Sequence, residues 1–364
     1  MGNSASSNPR HGWHVPIRSD FGSSAFALAF WKGVQYLALL GGVALVATLV
    51  TRPALGLDIL WNGLIPAAPA LIVIAPGLWR NICPMATFSL LPRRLGISMR
   101  SRLSHRSAAI LGAASLTALL LIVPLRHLSL NTDGPMTALM LVAAALVAFA
   151  LGAATEWRSG WCNGLCPIHP AEKLYGQAPA VTVINARCDA CHQCSTPCPD
   201  SKRSMHPLIT GPSRLARVTA HVMAGGFAGF IWGWYRLPDF AGGVGAAEIF
   251  ATYTWPFGAG LASLAIYGIA YRWLFLDRAD RQRLLRLAAA AAVCTYYWYR
   301  IPALAGFGPH PGSGMLADLT EAWPTLPLWS HAATTTFFCW FLMIRRDPAR
   351  SWMHRPPDTA YHEG

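Results

Sequence analysis

The chain has 364 residues, of which 54% are hydrophobic and only 12% charged, and its mean hydropathy is +0.35. A soluble domain normally carries about 25% charged residues, so the composition excludes an ordinary water-soluble fold and suits a lipid solvent. The net charge of +13, from 29 Lys and Arg against 16 Asp and Glu, leaves nucleic acid, an anionic membrane surface or acidic proteins as partners, and the placement of the charges decides between them.

A helix needs about 20 apolar residues to cross a hydrocarbon core of roughly 30 Å. After a polar N-terminal tail, 1–25, the first apolar segment runs over 26–50. Its long leader and long apolar run favour an uncleaved first helix over a signal peptide. The second, 59–78, contains Pro66, Pro69 and Pro76 and should be kinked or broken. The third and fourth, 107–125 and 135–155, close a first helical block over 26–155. A cysteine-rich loop, 156–216, follows. A second block, 217–344, holds segments 217–236, 248–276, 284–301 and 325–344, and the tail is 345–364. Segment 284–301 is short, but it ends in Tyr296-Tyr297-Trp298-Tyr299, the pattern of an interfacial aromatic belt. The expectation is an all-α integral membrane protein of about eight transmembrane helices with a small ferredoxin-like cytoplasmic loop insertion.

The basic residues fit that map. With the N-terminus inside, 25 of the 29 Lys and Arg fall on the inner side, and Arg52, Arg126, Arg236 and Arg300 alone fall outside. The positive-inside rule reads this as cytoplasmic N- and C-termini in an inner, multi-pass cell membrane. The charge is then topological, and with no basic stripe on a soluble domain a nucleic-acid partner is not expected.

Six of the nine cysteines lie in the loop. Cys162-Asn-Gly-Leu-Cys166-Pro167 is followed by Cys188-Asp-Ala-Cys191-His-Gln-Cys194-Ser-Thr-Pro-Cys198-Pro199. The second run is C-x2-C-x2-C-x3-C-P, the bacterial ferredoxin spacing for a [4Fe–4S] cluster. Closely spaced thiolates wrap a tight loop around a cubane, and backbone amides in the loop can tune its potential. A reducing cytoplasm disfavours disulfides, and zinc sites more often pair two CxxC units 15–20 residues apart. The fourth ligand beside Cys188, Cys191 and Cys194 is either Cys198 or, if Cys198 serves another cluster, Cys166. A second cluster would draw on Cys162 and Cys198, and it is eroded at Ser159 and Glu156, where further cysteines would stand. Cys83, in Trp79-Arg80-Asn81-Ile82-Cys83-Pro84, copies C-x3-C-P with Trp79 in place of the first cysteine. It is either an added ligand or a plain helix end. Cys294 and Cys339 lie within helices and read as packing residues.

These motifs resemble the membrane polyferredoxins of the NapH, NosR and CcoG type over roughly residues 59–215. The resemblance implies electron delivery to a terminal reductase, or help in maturing a metal centre. This chain has one ferredoxin run where the family has two, one of its two C-x3-C-P motifs lacks a cysteine, and it carries no flavin-attachment domain.

The expected function is electron transfer at the cytoplasmic face. The chain would serve as a component of an oxidoreductase system rather than a stand-alone catalyst, with a quinone or a ferredoxin-like redox partner protein or complex. Metalloenzyme maturation and a redox-sensing membrane anchor are the alternatives. His221 and His331 sit at opposite depths and cannot share a haem. His221 is a candidate quinone contact, while His105 and His127 read as interfacial or capping. Glu156 is a candidate proton relay, with Arg158 beside it, and Arg187, Lys202 and Arg203 would offset cluster charge. The outer loop 306–323 offers a docking surface. Nucleotide, metalloprotease and Ser-His-Asp signatures are absent from the sequence.

Overall fold

The structure is a computed structural model that describes residues 25–101, 103–155, 158–187, 208, 213–240, 245–273, 278–310, 314–345 and 352–354. Apolar runs of the length seen in this sequence satisfy their backbone polar groups only as helices when water is absent, and the described residues are nearly all helical. In chain order the helices are α1 (Ala25–Thr51), α2 (Pro53–Ile74), α3 (Pro76–Ile82), α4 (Pro84–Arg94), α5 (His105–Leu130) and α6 (Gly134–Ala154). A π-helical segment (Arg158–Leu165) and α7 (His169–Tyr175) follow. Then come α8 (Arg214–Trp234), α9 (Ala246–Trp273), α10 (Arg278–Leu304) and α11 (Leu326–Cys339), which runs on into a π turn, Trp340–Ile344. Two short strands, β1 (Val183–Ile184) and β2 (Met353–His354), pair in parallel.

A helix lies at each of the eight expected places, and five of them, α1, α2, α5, α6 and α9, are long and apolar enough to cross a membrane. The arginines, glycines and aromatic residues of α8 and α10 hold their hydropathy down, and α11 has only 14 residues before its π turn. The second segment differs from its expected bounds. It starts at Pro53 and stops at Ala75, whose ψ of 66° leaves the helical region ahead of Pro76.

The side chains that face outward fit a lipid surround. Phe26, Leu37, Leu40 and Val43 on α1 and Phe250, Leu261 and Ile266 on α9 are exposed. Inward, one apolar core centres on Phe227 and Phe230 of α8, Tyr297 of α10 and Phe338 of α11. A smaller one joins Leu49, Leu60, Trp61, Leu130 and Ala138. Helices α8 and α9 approach closely along Gly225, Gly229 and Gly233, four residues apart. A Cβ at Gly229 would strike the Ala259 carbonyl, so only glycine fits there.

The two ends of the bundle differ. At one end, the Arg300 guanidinium donates to the Trp61 carbonyl (2.6 Å) and Arg126 lies 4.0 Å from the Trp61 ring centroid. There His127 is not a surface cap. It is buried, with ring nitrogens 2.7 Å from the Asp239 carboxylate and 2.9 Å from the Trp234 carbonyl. The other end gathers α3, α4, the π segment, α7 and both strands.

Candidate functional site

The sequence Cys83-Pro84 dictates the first wall of the site. Proline disfavours helical backbone at the residue before it, and Cys83 has φ −59° and ψ 119°, so α3 ends there and α4 begins on Pro84. As the cap of α4, the Cys83 carbonyl accepts from the Thr87 N–H (3.3 Å), and it also accepts from the Arg187 guanidinium (3.0 Å) and the Thr87 hydroxyl (3.3 Å). Arg187 is almost fully buried. It also donates to the Thr87 hydroxyl (2.8 Å) and to the Arg80 carbonyl, so the residue just before Cys188 is fastened to the loop that carries Cys83.

The second wall is the π segment. Its wider turn closes with Cys166 N–H on the Trp161 carbonyl at 2.9 Å, an i to i+5 bond that sets Cys162 and Cys166 about one turn apart. The Ser115 hydroxyl of α5 pins the Cys166 carbonyl at 2.6 Å. The third wall is α7, which starts two residues after Pro167 and carries His169, Glu172 and Lys173.

Arg80 joins all three. It sits one turn before Cys83, donates to Glu172 at 2.6 and 2.9 Å and to Asn163, the neighbour of Cys162, at 3.1 Å, and lies 3.3 Å from His169 Nδ1. Burial disfavours the charge on Arg80, but Glu172 outweighs it and raises the guanidinium above its ordinary value. Burial likewise opposes the Glu172 charge, and the field of Arg80 prevails, holding the carboxyl at about 2. Burial lowers His169 to about 4. Burial also raises the Cys83 thiol, and it raises Cys166 well above the ordinary range, with Glu172, Cys83 and Cys162 adding to the effect.

The C-terminal segment completes the site. The buried Trp352 indole donates to the Gly176 carbonyl (2.7 Å) and lies 5.0 Å from the Arg80 guanidinium and 4.6 Å from the Lys173 ammonium. A Cβ at Gly77 would strike the Trp352 carbonyl, so glycine is required on α3. Residues 353–354 pair with Val183–Ile184, three residues ahead of Arg187.

Cys83, Cys162 and Cys166 therefore sit on elements that the Arg80 side chain ties together. Cys188, Cys191, Cys194 and Cys198, the core of the ferredoxin run, lie outside the described residues, as do Glu156, Lys202, Arg203 and the side chains of Arg158 and Ser159. His221 packs edge-on against Tyr267 and Tyr271 of α9. His331 bonds to the Trp298 carbonyl, and Cys294 is buried beside the Thr334 carbonyl at 3.8 Å. Arg80, His169, Glu172 and Trp352 were not singled out from the sequence. The one signal for Glu172 was an acid in a chain with only 16 of them, next to a cysteine motif.

Among the described residues, no three of His, Cys, Asp and Glu are close enough together to hold a single metal ion. The thiols are soft ligands, Arg80, Lys173 and Arg187 supply positive charge, and Glu172 is already paired.

The chain matches no family model, no curated protein and no solved structure.

Proposed function

We propose that this is a membrane-bound iron–sulfur electron-transfer protein. The observation that carries the reading is the C-x2-C-x2-C-x3-C-P run, Cys188, Cys191, Cys194 and Cys198. A [4Fe–4S] cluster on that run would supply one-electron chemistry. The topology proposed with it has eight spans and a cytoplasmic loop, from the 25-to-4 division of basic residues. The three helices of lower hydropathy cross with their polar residues turned inward. Arg300 of α10, for example, is buried and donates to the Trp61 carbonyl.

The chain's own residues do three things in this reading. Arg187 anchors the start of the run to the Cys83 loop. Arg80 and Lys173 set a positive field at the membrane end of the loop, which favours the reduced, more negative state. Trp352 and β2 hold β1, which leads into the run. The partner is a quinone in the bilayer or a ferredoxin-like protein, and the cytoplasmic position of the run suits either.

The test is reduction of the oxidised protein, in liposomes, by a quinol and separately by a reduced soluble ferredoxin, followed by EPR. Appearance of a cluster signal with one of the two donors supports the reading and names the partner class. A protein whose iron stays silent to both donors and to dithionite is no electron carrier.

A further inference from the structure

We infer that the ends of α8, α9 and α10 on the cysteine-loop side of the bundle bind an anionic phospholipid, its phosphate among arginines and its acyl chains on the apolar faces beside them. The inference goes beyond electron transfer and needs no cluster.

Tyr271, near the end of α9, is the hub. Its ring meets His221 of α8 edge-on, with centroids 4.7 Å apart, and the Arg281 guanidinium of α10 lies 5.4 Å from its centroid. Tyr267, one turn back, stacks on Tyr271 at 6.1 Å and meets His221 at 5.9 Å. Three helices thus converge on one aromatic pair. Arg217 stands one turn before His221, so the two share a face of α8. Arg217, Arg272 and Arg281 are exposed, and His221 is half-buried. Neither ring nitrogen of His221 has a hydrogen-bond partner among the described residues. Asp280 is the one acid among the described residues of these three ends, and it is paired with Arg283 at 3.2 Å. The remaining charge is positive, and its donors, guanidinium and imidazole N–H, are those a phosphate accepts from.

The surrounding surface decides for a lipid over a soluble phosphate. Val218 on α8, Ile269 and Trp273 on α9 and Leu287 on α10 are exposed within two turns of an arginine on the same helix. Apolar side chains beside a cluster of cations match a headgroup together with its chains. Arginines gathered where membrane helices end are the usual basis of anionic-lipid recognition.

The experiment follows thermal unfolding of the full chain in detergent with added phosphatidylglycerol, with phosphatidylcholine of the same acyl chains, and with glycerol 3-phosphate. Phosphatidylglycerol alone should raise the melting temperature of wild type. In Arg217→Gln/Arg281→Gln the concentration needed for a half-maximal shift should rise about 30-fold, from two charges lost at a lipid surface. Arg100→Gln/Arg106→Gln, which removes two exposed arginines from another part of the chain, should respond as wild type. An equal shift with phosphatidylcholine, a full shift with glycerol 3-phosphate, or equal weakening in both double variants overturns the site. Should the first variant fail to fold, native mass spectrometry of wild type in an equimolar mixture of the two lipids decides: selective retention of phosphatidylglycerol supports the site, and equal retention overturns it. All of these outcomes leave the iron–sulfur reading untouched.

Discussion

At the scale of single residues, the account turns on Arg80 and Glu172. The pair is buried on both sides, at 2.6 Å. A buried ion pair is weak evidence of net stability, but removing one partner strands the other's charge and costs about 3–5 kcal/mol. Glu172→Gln should therefore lower the melting temperature of the purified protein more than Asp280→Asn, which breaks the exposed Arg283–Asp280 pair worth under about 1 kcal/mol. Equal effects would show that the Arg80 network is not a joint of the fold. The acid side can be read from the same groups. Glu172 titrates at about 2 in the fold, below its ordinary 4.5, and His169 at about 4, below 6.5. Both pKa values are depressed, so the unfolded chain binds more protons and stability falls with pH. The His169 contribution is lost between about pH 6.5 and 4, and that of Glu172 between about 4.5 and 2. In Glu172→Gln the loss below pH 4.5 should be shallower than in wild type. A parallel curve would contradict the assignment.

At the scale of elements, the C-terminal segment acts as a clasp on the cysteine loop. Trp352 is 1% exposed, and its ring packs against both Arg80 and Lys173. Truncating a buried Trp costs about 3–5 kcal/mol, and here the loss falls on the β1–β2 pairing beside Arg187. Trp352→Ala should leave membrane insertion intact while lowering iron per chain and opening residues 176–187 to protease. Full iron content with unchanged protection would show that the clasp is ornamental to the loop. Helix positions and the cysteine motifs were legible in the sequence because apolar runs and C-x2-C spacing are local signals. The split at Pro76 and again at Cys83-Pro84 was half legible: the prolines marked a break but not three separate helices. The joints of the site were not legible. Arg80 and Glu172 are 92 residues apart, and Trp352 and Gly176 are 176 apart. No periodicity connects such pairs. The π turns escaped as well, since an i to i+5 bond leaves no composition mark.

At the scale of the whole molecule, one end of the bundle is fastened by arginines and aromatic rings and the other by the cysteine site. At the first end Arg236 bonds to Tyr299 and Arg300 to the Trp61 carbonyl, and both belong to the four basic residues assigned outside. The proposed topology predicts that Ala317→Cys, on an exposed stretch at that end, reacts with a membrane-impermeant maleimide in intact cells. Met99→Cys, exposed at the other end, should react only after permeabilisation. Labelling of both in intact cells, or of Met99→Cys alone, would invert or break the topology. The five helices that are long and apolar enough to span carry the membrane reading in either case.

The most direct test of the central claim is the metal content of the anaerobically purified protein. The account predicts iron and acid-labile sulfide in equal amounts, about four of each per cluster, with an S = 1/2 EPR signal after dithionite reduction. Zinc without iron, or no metal bound to a folded and monodisperse protein, would contradict it and leave a helical membrane protein whose cysteines do not carry electrons.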